Sequence, residues 1–394
     1  MAITIAVTRT GLTSTAASVD VMSADGSAKQ KGDYTFVIAH LVFAANETQK
    51  TFPVLISDDS YTEGVESATL SLQNPVNGTL GFPAAATLQI VDNSPETNSN
   101  PIDVSRVFVG QHYHDFLYRQ SDLSGEDFWT NVIEQCGADT DCRRAKRVTV
   151  SGAFFLSIEF KQTGFEVIRA HKAGFGNAKG TPRYQVFLRD QREISNGVIV
   201  GQPNWQAQLA ANTRAFLQDF VSRPEFTSQT SFAPGVAANT YVDALFANSS
   251  ATPTSSERNA AISAYGSGDL AGRAAALESV IESGSVFNRL YNDSFVLMQY
   301  FGYLRRNADD SPDSNFSGYD FWLAKLNSVS AANEDMRDDT QAQHRAERAE
   351  MIRAFIESTE YRQRFGDSPT GNQFAPPADS ALVRFLKAMI GMLG

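Results

Sequence analysis

The sequence predicts a multidomain protein of the β plus α class, with an N-terminal antiparallel β-sandwich and a C-terminal all-α domain that contains a repeat. Three observations support this. Residues 1–93 contain short strand-like runs separated by turn residues, and from Val104 onward apolar residues recur at helical spacing. In addition, one helical signature occurs twice, and an internal repeat usually indicates architecture before chemistry.

Composition limits the function classes. The chain has 394 residues, of which 42% are hydrophobic, so it can bury the cores of two or three domains. A net charge of −11 argues against nucleic acid as a partner, because binding nucleic acid requires dense Lys and Arg. No apolar run reaches the length of a membrane span. The opening Met1-Ala-Ile-Thr-Ile is typical of a strand interior, which suggests a trimmed chain start rather than a leader peptide.

The first region contains six strand signals. Ser67-Ala-Thr-Leu-Ser-Leu alternates clearly, and Asn77-Gly78 provides a turn. Several strands of this length separated by turns predict an antiparallel sandwich. The predicted strands are 3–8, 17–22, 34–39, 50–56, 67–72 and 86–91.

Five separated motifs in this region resemble the Calx-beta domain in order and spacing. They are Val7-Thr-Arg-Thr-Gly11, Gly32-Asp33-Tyr34-Thr35, Leu41-Val-Phe43-Ala-Ala-Asn-Glu47-Thr-Gln-Lys50, Ile56-Ser-Asp58-Asp59 with Glu63 and Glu66, and Leu88-Gln-Ile90-Val-Asp92. The resemblance implies an immunoglobulin-like sandwich over residues 1–93. It also implies a candidate Ca²⁺ site, because some members of the family bind calcium through carboxylates at one end of the sandwich.

The resemblance assigns five candidate calcium ligands: Asp33, Asp58, Asp59, Glu63 and Asp92. Ca²⁺ takes six to eight oxygen ligands, several of them anionic. Two departures weaken the match. The acidic run that closes the domain in the family is reduced to Asp92-Asn93-Ser94, and the strand that opens the domain there is missing before Met1. We therefore expect either loose calcium binding or carboxylates that merely lie at solvated strand ends.

A sandwich without its first strand has an open edge, and unpaired backbone groups on an edge can accept a strand from another chain. The alternative is an edge that is simply short. Residues 94–103 are polar and contain Pro95 and Pro101, so they predict a linker between the domains.

Residues 104–366 are predicted to form the helical domain, with two clear repeat copies at about 107–161 and 287–366. Each copy has an aromatic helix end, an Arg, an Asp, a Gly and a Phe-Trp pair. The segment 220–246 is a degenerate middle copy. The copies begin Tyr113-His-Asp-Phe-Leu117-Tyr-Arg119 and Tyr300-Phe-Gly-Tyr-Leu304-Arg-Arg306, and they continue to Phe128-Trp129 and Phe321-Trp322.

This pattern resembles the DUF4214 domain, a helical family of unknown function found mainly in bacterial secreted and surface proteins, and more faintly the linker domain of phycobilisomes. Within each copy, Asp122 and Asp309 are predicted to cap a turn, and the Phe-Trp pairs are predicted to anchor the next helix in the core. Metal binding by the acidic loop around Asp309 is the minority interpretation.

Cys136 and Cys142 are the two cysteines of the chain. With five residues between them they could close a disulfide loop in an oxidising compartment, or remain reduced thiols in a cytosolic protein. We favour the disulfide because the rest of the chain looks extracellular. Residues 367–394 predict a hinge and an amphipathic C-terminal helix whose apolar face would dock on protein or, less readily, on a membrane surface.

No histidine, serine or carboxylate pattern with a catalytic mechanism is recognisable. The sequence thus predicts a noncatalytic extracellular or cell-surface bacterial protein with a structural or adhesive role, stabilised by Ca²⁺ if the acidic end binds it. Its partners would be other protein subunits or surface glycans. One alternative is a subunit of a homo- or hetero-oligomeric assembly or filament, joined through the open sandwich edge or the C-terminal helix. A second alternative is a secreted hydrolase with an unrecognised site.

Overall fold

The computed structural model describes residues 1–92, 99–330, 335–336 and 342–366. The predicted C-terminal hinge and helix at 367–394, and residues 94–98 of the predicted linker, lie outside the described residues. The end of that linker is ordered as a short 3-10 helix, Pro101–Asp103, in which the Asn100 side chain accepts a hydrogen bond from the Ile102 backbone N–H.

The N-terminal region consists of two antiparallel sheets, as the sequence predicts. One sheet pairs β1 with β4, and the other has the strand order β3-β2-β5-β6. Alternating residues of β2, including Val19 and Val21, are buried, as expected for strands with one face on a core. The strands are β1 Ala2–Thr8, β2 Ala17–Asp25, β3 Ile38–Phe43, β4 Gln49–Leu55, β5 Val65–Val76 and β6 Ala85–Val91.

The third strand differs from the prediction of 34–39. Thr35 donates its backbone N–H to Leu55 of one sheet, whereas Val37 accepts a backbone hydrogen bond from Ser23 of the other sheet. Residues 34–37 therefore cross between the sheets through the core, where Tyr34 is fully buried. The crossing explains why an apolar, strand-like run is not a strand.

Fourteen α-helices follow among the described residues. None of them combines the length and apolarity that a membrane span requires. They are α1 Ser105–His112, α2 Leu123–Glu134, α3 Thr140–Phe155, α4 Ile158–Phe175, α5 Tyr184–Ser195, α6 Trp205–Ser222, α7 Pro224–Thr227, α8 Ala238–Asn248, α9 Ser255–Tyr265, α10 Leu270–Ile281, α11 Gly284–Gln299, α12 Ser317–Val329, α13 Ala342–Ile356 and α14 Thr359–Arg362.

The chain divides into two compact units. The first comprises Met1–Phe155, Gly302–Leu304 and the chain from Ile352 as far as it is described. The second comprises Leu156–Phe301 and Arg305–Met351. The helical core of the first unit is aromatic: the Tyr303 ring lies 4.8 Å from the Phe116 ring and 5.8 Å from the Tyr361 ring.

The two repeat copies share a local geometry. Each helix ends in a π turn, Tyr113–Leu117 or Tyr300–Leu304, followed by a left-handed residue, Tyr118 or Arg305, at φ 50°. In each copy an Arg guanidinium lies over the first Tyr of the π turn: Arg119 is 4.9 Å from the Tyr113 ring centre, and Arg306 is 5.2 Å from that of Tyr300.

Two expectations for the repeat are only partly met. Asp122 caps α2 by accepting from the Gly125 backbone N–H at 2.8 Å. The cap prediction for Asp309 is wrong, because its carboxylate instead accepts from Arg183 at 2.6 Å and α12 begins after Phe316 without a side-chain cap. Phe128 and Phe321 are not core anchors either, since they are 58% and 59% exposed. The buried residues of those helices are Thr130 and Ile133 in α2 and Tyr319 and Leu326 in α12.

Candidate metal centre

Three carboxylates converge at one end of the sandwich. The ligand oxygens of Asp33, Glu63 and Glu66 all lie within 4.8 Å of one another. Asp33 lies in the connection before β3, Glu63 lies near the end of the connection before β5, and Glu66 is the second residue of β5. Two of the five predicted ligands therefore meet here, together with Glu66, which belongs to the quoted motif but was not predicted as a ligand.

The connection that carries Asp33 is held by its own backbone. The Asp33 N–H donates to the Lys29 carbonyl at 2.9 Å, and the Lys29 N–H donates to the Asp33 carboxylate at 2.5 Å. The Asp33 carbonyl accepts from the Ser57 N–H at 2.9 Å, which joins this connection to the one after β4. Asp33 is 8% exposed, so its carboxylate is fixed at a largely desolvated position.

Asp92 positions the connection that carries Glu63. One of its carboxylate oxygens accepts from the backbone N–H groups of Glu63 and Gly64, both at 2.6 Å. Gly64 has φ +79°, a left-handed conformation that favours glycine. Asp92 thus orients a member of the carboxylate group through the backbone.

The remaining two predicted ligands also lie outside the group of three. The Asp59 carboxylate accepts from the Tyr61 backbone N–H at 2.9 Å. Asp58 is exposed. Burial lowers the pKa of the Met1 amino group, and the negative charge of Asp58 partly offsets that effect. The charge of Asp59 acts on Glu66, so Asp59 adds to the negative charge around the group of three.

Crowding of these carboxylates shifts their proton affinity. The pKa of Glu66 is raised to about 7. Burial is the largest cause, a hydrogen bond with Asp33 and repulsion from Asp33 come next, and repulsion from Glu63 and Asp59 follows. The pKa of Glu63 is also raised. Burial is the largest cause, and the negative charges of Asp33 and Asp92 add to it. Like charges in close proximity disfavour ionisation, and a cation placed among them would remove that cost.

The donor set fits a hard cation. All three side chains offer carboxylate oxygen, which is the ligand type that Ca²⁺ prefers. Three carboxylates supply fewer oxygens than the six to eight that Ca²⁺ takes, so backbone carbonyls or water would complete the shell. A cavity of about 290 Å³ adjoins the group and provides room for such water. Its lining includes Asp33 and Glu63 from the group, and Lys31 and Arg364.

Other polar clusters lie within the helical cores. In the first unit, His112 Nε2 lies 2.8 Å from the Ser151 hydroxyl, which lies 2.6 Å from the Tyr303 hydroxyl. All three residues are fully buried, and burial lowers the pKa of His112 to about 4, so the imidazole is neutral. This Ser-His contact, which no sequence motif indicates, is a buried hydrogen-bond network among aromatic rings.

A second cluster lies in the second unit. Arg223 donates two hydrogen bonds to Asp190, both at 2.8 Å, and His171 Nε2 lies 2.7 Å from the same carboxylate. Asp190 is fully buried. Hydrogen bonds from His171 and Arg223 outweigh its burial and lower the pKa of Asp190, so the carboxylate stays ionised as the centre of a structural network.

Comparison with known proteins identifies the sandwich. Residues 1–94 match the family model described as the Calx-beta domain, so the N-terminal region is a Calx-beta domain. Among curated proteins, none matches the chain.

Several solved structures are similar to the same region. The apo form of the Calx CBD1 domain is 31% identical, with 24% of this chain and 83% of that chain covered and a TM-score of 0.23. The calcium binding domain CBD12 of CALX1.1 is 30% identical, with 23% and 39% covered and a TM-score of 0.23. The Calx CBD2 domain is 17% identical, with 24% and 78% covered and a TM-score of 0.22.

Proposed function

We propose that the protein is a noncatalytic, extracellular or cell-surface structural or adhesion protein whose Calx-beta domain binds Ca²⁺. Asp33, Glu63 and Glu66 would hold the ion. The convergence of these three carboxylates within 4.8 Å is the observation that carries the proposal. The structural role follows from the helical region, which resembles a family of bacterial secreted and surface proteins, and partners would be protein subunits or surface glycans.

Calorimetric titration of the whole chain with Ca²⁺ tests the cation site. We expect wild-type protein to bind, and the double variant Glu63→Gln/Glu66→Gln to bind at least about 100-fold more weakly, since even outer partners of metal ligands cost ~10–100-fold. Asp58→Asn is the matched control, because Asp58 is exposed and lies outside the group. A wild-type protein that releases no binding heat would contradict the proposal.

The disulfide supports the extracellular location. Cys136, in the connection between α2 and α3, is bonded to Cys142 in the first turn of α3, with Cα atoms 5.6 Å apart, and disulfides persist mainly in oxidising compartments. Thiol labelling of the native protein in fractionated cells tests this. Unlabelled cysteines in an exported fraction are expected, whereas labelled cysteines in a cytosolic fraction would overturn the location.

Assembly is the second candidate function, and the edge of β1 favours it. Met1 and Ile56 exchange backbone hydrogen bonds of 3.0 and 2.8 Å. Because bonding direction alternates along an antiparallel strand, the even-numbered residues of β1 direct their backbone groups away from β4. Within the described residues β1 pairs with β4 alone, so this edge can accept a strand.

Light scattering with Ca²⁺ and with excess chelator tests assembly. Large particles are expected for wild-type protein if the edge joins subunits, and Thr4→Pro should abolish them because proline removes an outward N–H. The control Ile5→Val keeps every backbone donor. A monomer in both solutions contradicts the assembly role and leaves the adhesion role.

A further inference from the structure

The two connections that carry the carboxylate group also contact a part of the chain that is distant in sequence. We call residues 26–34 the first cation loop, residues 57–64 the second cation loop, and residues 359–366 the closing segment. All three belong to the first compact unit. The closing segment begins with α14, whose first turn is capped by the Ser358 hydroxyl.

Arg364 of the closing segment holds the first cation loop. Its Nε donates to the Lys31 carbonyl at 2.9 Å, two residues before Asp33. The Lys31 and Glu360 side chains add an ion pair at 3.6 Å, which is half-exposed and therefore weak. The Lys31 carbonyl is thus tied to a guanidinium immediately beside the carboxylate group.

That guanidinium is itself immobilised. Its Nη2 and Nη1 atoms donate to the two oxygens of Asp115 at 2.9 and 3.2 Å, and Nη1 donates to the Tyr303 carbonyl at 2.6 Å. The Arg364 side chain is 2% exposed and the Asp115 side chain is 0% exposed. A buried guanidinium with several hydrogen bonds has little freedom to move, so it holds the loop bonded to it in a fixed position.

The second cation loop is held by the same segment. The Ser60 N–H donates to the Phe365 carbonyl at 3.0 Å, and the Tyr61 hydroxyl donates to the Gln363 carbonyl at 3.1 Å. A Cβ atom on Gly366 would lie 2.2 Å from the Ser60 hydroxyl, so the Gly366 backbone packs directly against the Ser60 side chain. Both loops therefore depend on one short segment for their spacing.

We propose that Arg364 is a positioning residue for the cation site, and that cation binding and packing of the closing segment stabilise each other. This inference rests on the proposed calcium binding. A cation held by Asp33 and Glu63 would fix the spacing of the two loops, and this is the spacing at which the closing segment bonds to both of them. Coupling between two such equilibria is reciprocal, so each event strengthens the other by the same factor.

Calcium titration of three full-length variants tests the positioning role. Arg364→Gln and Tyr61→Phe should weaken Ca²⁺ binding, by about 10-fold or more for Arg364→Gln, as typical for groups that orient metal ligands. The matched control is Arg169→Gln, in the second unit and similarly buried, which removes the pair with Glu282. It should change Ca²⁺ affinity less than twofold. If Arg364→Gln does not fold, Tyr61→Phe decides, because it removes one hydroxyl and buries no charge.

Hydrogen exchange provides a readout that a merely structural role would not change. Ca²⁺ should slow backbone exchange in residues 359–366 of wild-type protein, and this slowing should shrink in Tyr61→Phe. Wild-type protein that binds no Ca²⁺ overturns the proposed function and this inference together. Wild-type protein that binds Ca²⁺ while exchange in the closing segment and the affinities of both variants stay unchanged overturns the inference alone.

Discussion

The Arg364 guanidinium and the Asp115 carboxylate form a two-point ion pair with N–O distances of 2.9 and 3.2 Å, although 249 residues separate them in sequence. Gln111 adds a hydrogen bond of 2.9 Å to the same carboxylate. The free energy needed to remove both charges from water is nearly as large as the free energy gained from their attraction. The pair therefore specifies which segment packs here more than it adds net stability.

Removing the Asp115 charge should destabilise the protein strongly. Asp115→Asn leaves Arg364 buried without its counter-charge, and the free energy of unfolding should fall by ~3–5 kcal/mol. Urea unfolding measures the loss. Asp103→Asn is the control, because the Asp103 side chain is 50% exposed and its pair with Arg362 should be worth about 1 kcal/mol or less. Equal losses in the two variants would show that burial does not govern the pair.

Gly125 is predicted to be required by a close contact in the first repeat copy. A Cβ atom there would lie 2.2 Å from the Tyr113 hydroxyl, so Gly125→Ala should cost ~1–3 kcal/mol of stability despite the better helix propensity of alanine. Adding Tyr113→Phe removes the hydroxyl and should restore most of the loss. Thermal or urea unfolding of the two single variants and the double variant measures this coupling.

Two further glycine variants extend that experiment: one in the second repeat copy as a parallel test, and one at an uncrowded position as a control. Gly318→Ala should behave like Gly125→Ala, since its Cβ would lie 2.6 Å from the Tyr300 hydroxyl. Gly78→Ala meets no atom within 4 Å and should change stability by less than ~0.5 kcal/mol. A double variant as unstable as Gly125→Ala would exclude the hydroxyl as the cause.

Asp92 should matter for cation binding although it lies outside the group of three carboxylates. Asp92→Ala removes the acceptor for the Glu63 and Gly64 N–H groups, which frees the Glu63 backbone. Ca²⁺ affinity should fall ~10–100-fold in calorimetry. Asp92→Asn keeps an acceptor oxygen and should lose less. If both variants bind like wild-type protein, the second cation loop does not need this anchor.

Acid should destabilise the first unit through His112. The groups whose charges act on it are Asp115, Arg147 and Arg364, and burial lowers its pKa to about 4, below the ordinary 6.5. The unfolded chain therefore binds a proton that the folded chain excludes. The stability contribution is complete above pH 6.5 and is lost as pH falls from 6.5 towards 4, by about 1.4 kcal/mol per pH unit.

Urea unfolding at pH 7 and pH 5 checks this dependence. Wild-type protein should lose more stability between the two pH values than His112→Gln. The variant should be less stable at pH 7, because it disturbs the contact with Ser151. Identical losses in both proteins would assign the acid sensitivity to other groups.

The sandwich and the repeat were predictable because both leave periodic signals. Short strand-like runs between turn residues located five of the six strands, and the duplicated aromatic phrase coincides with the two π turns, which were not predicted. The run around Tyr34 was misassigned because burial on all sides gives a crossing segment the same apolar composition as a strand. Only the hydrogen bonds of Thr35 and Val37 to different sheets distinguish the two.

For the site, Asp33 and Glu63 were predictable from the family pattern, whereas Glu66 was missed. A signal for it existed: Glu66 has the same strand parity as Ala68 and Leu70, which face the core, and an acidic residue on that face needs a partner. No sequence signal could have paired Arg364 with Asp115. That contact depends on a tertiary arrangement that returns the chain, 249 positions later, to its starting unit.

The discontinuity of the first compact unit has a consequence for its synthesis. Its sandwich and first helices leave the ribosome long before Tyr303 and Arg364, which complete their core. Until then the guanidinium that pairs with Asp115 and the Tyr303 ring that packs on Phe116 have not been synthesised, so this part of the nascent chain exposes apolar surface of the kind that chaperones bind. A nonsense mutation between the two repeat copies should therefore leave the first helices without their packing partners, whereas the sandwich keeps a core of its own.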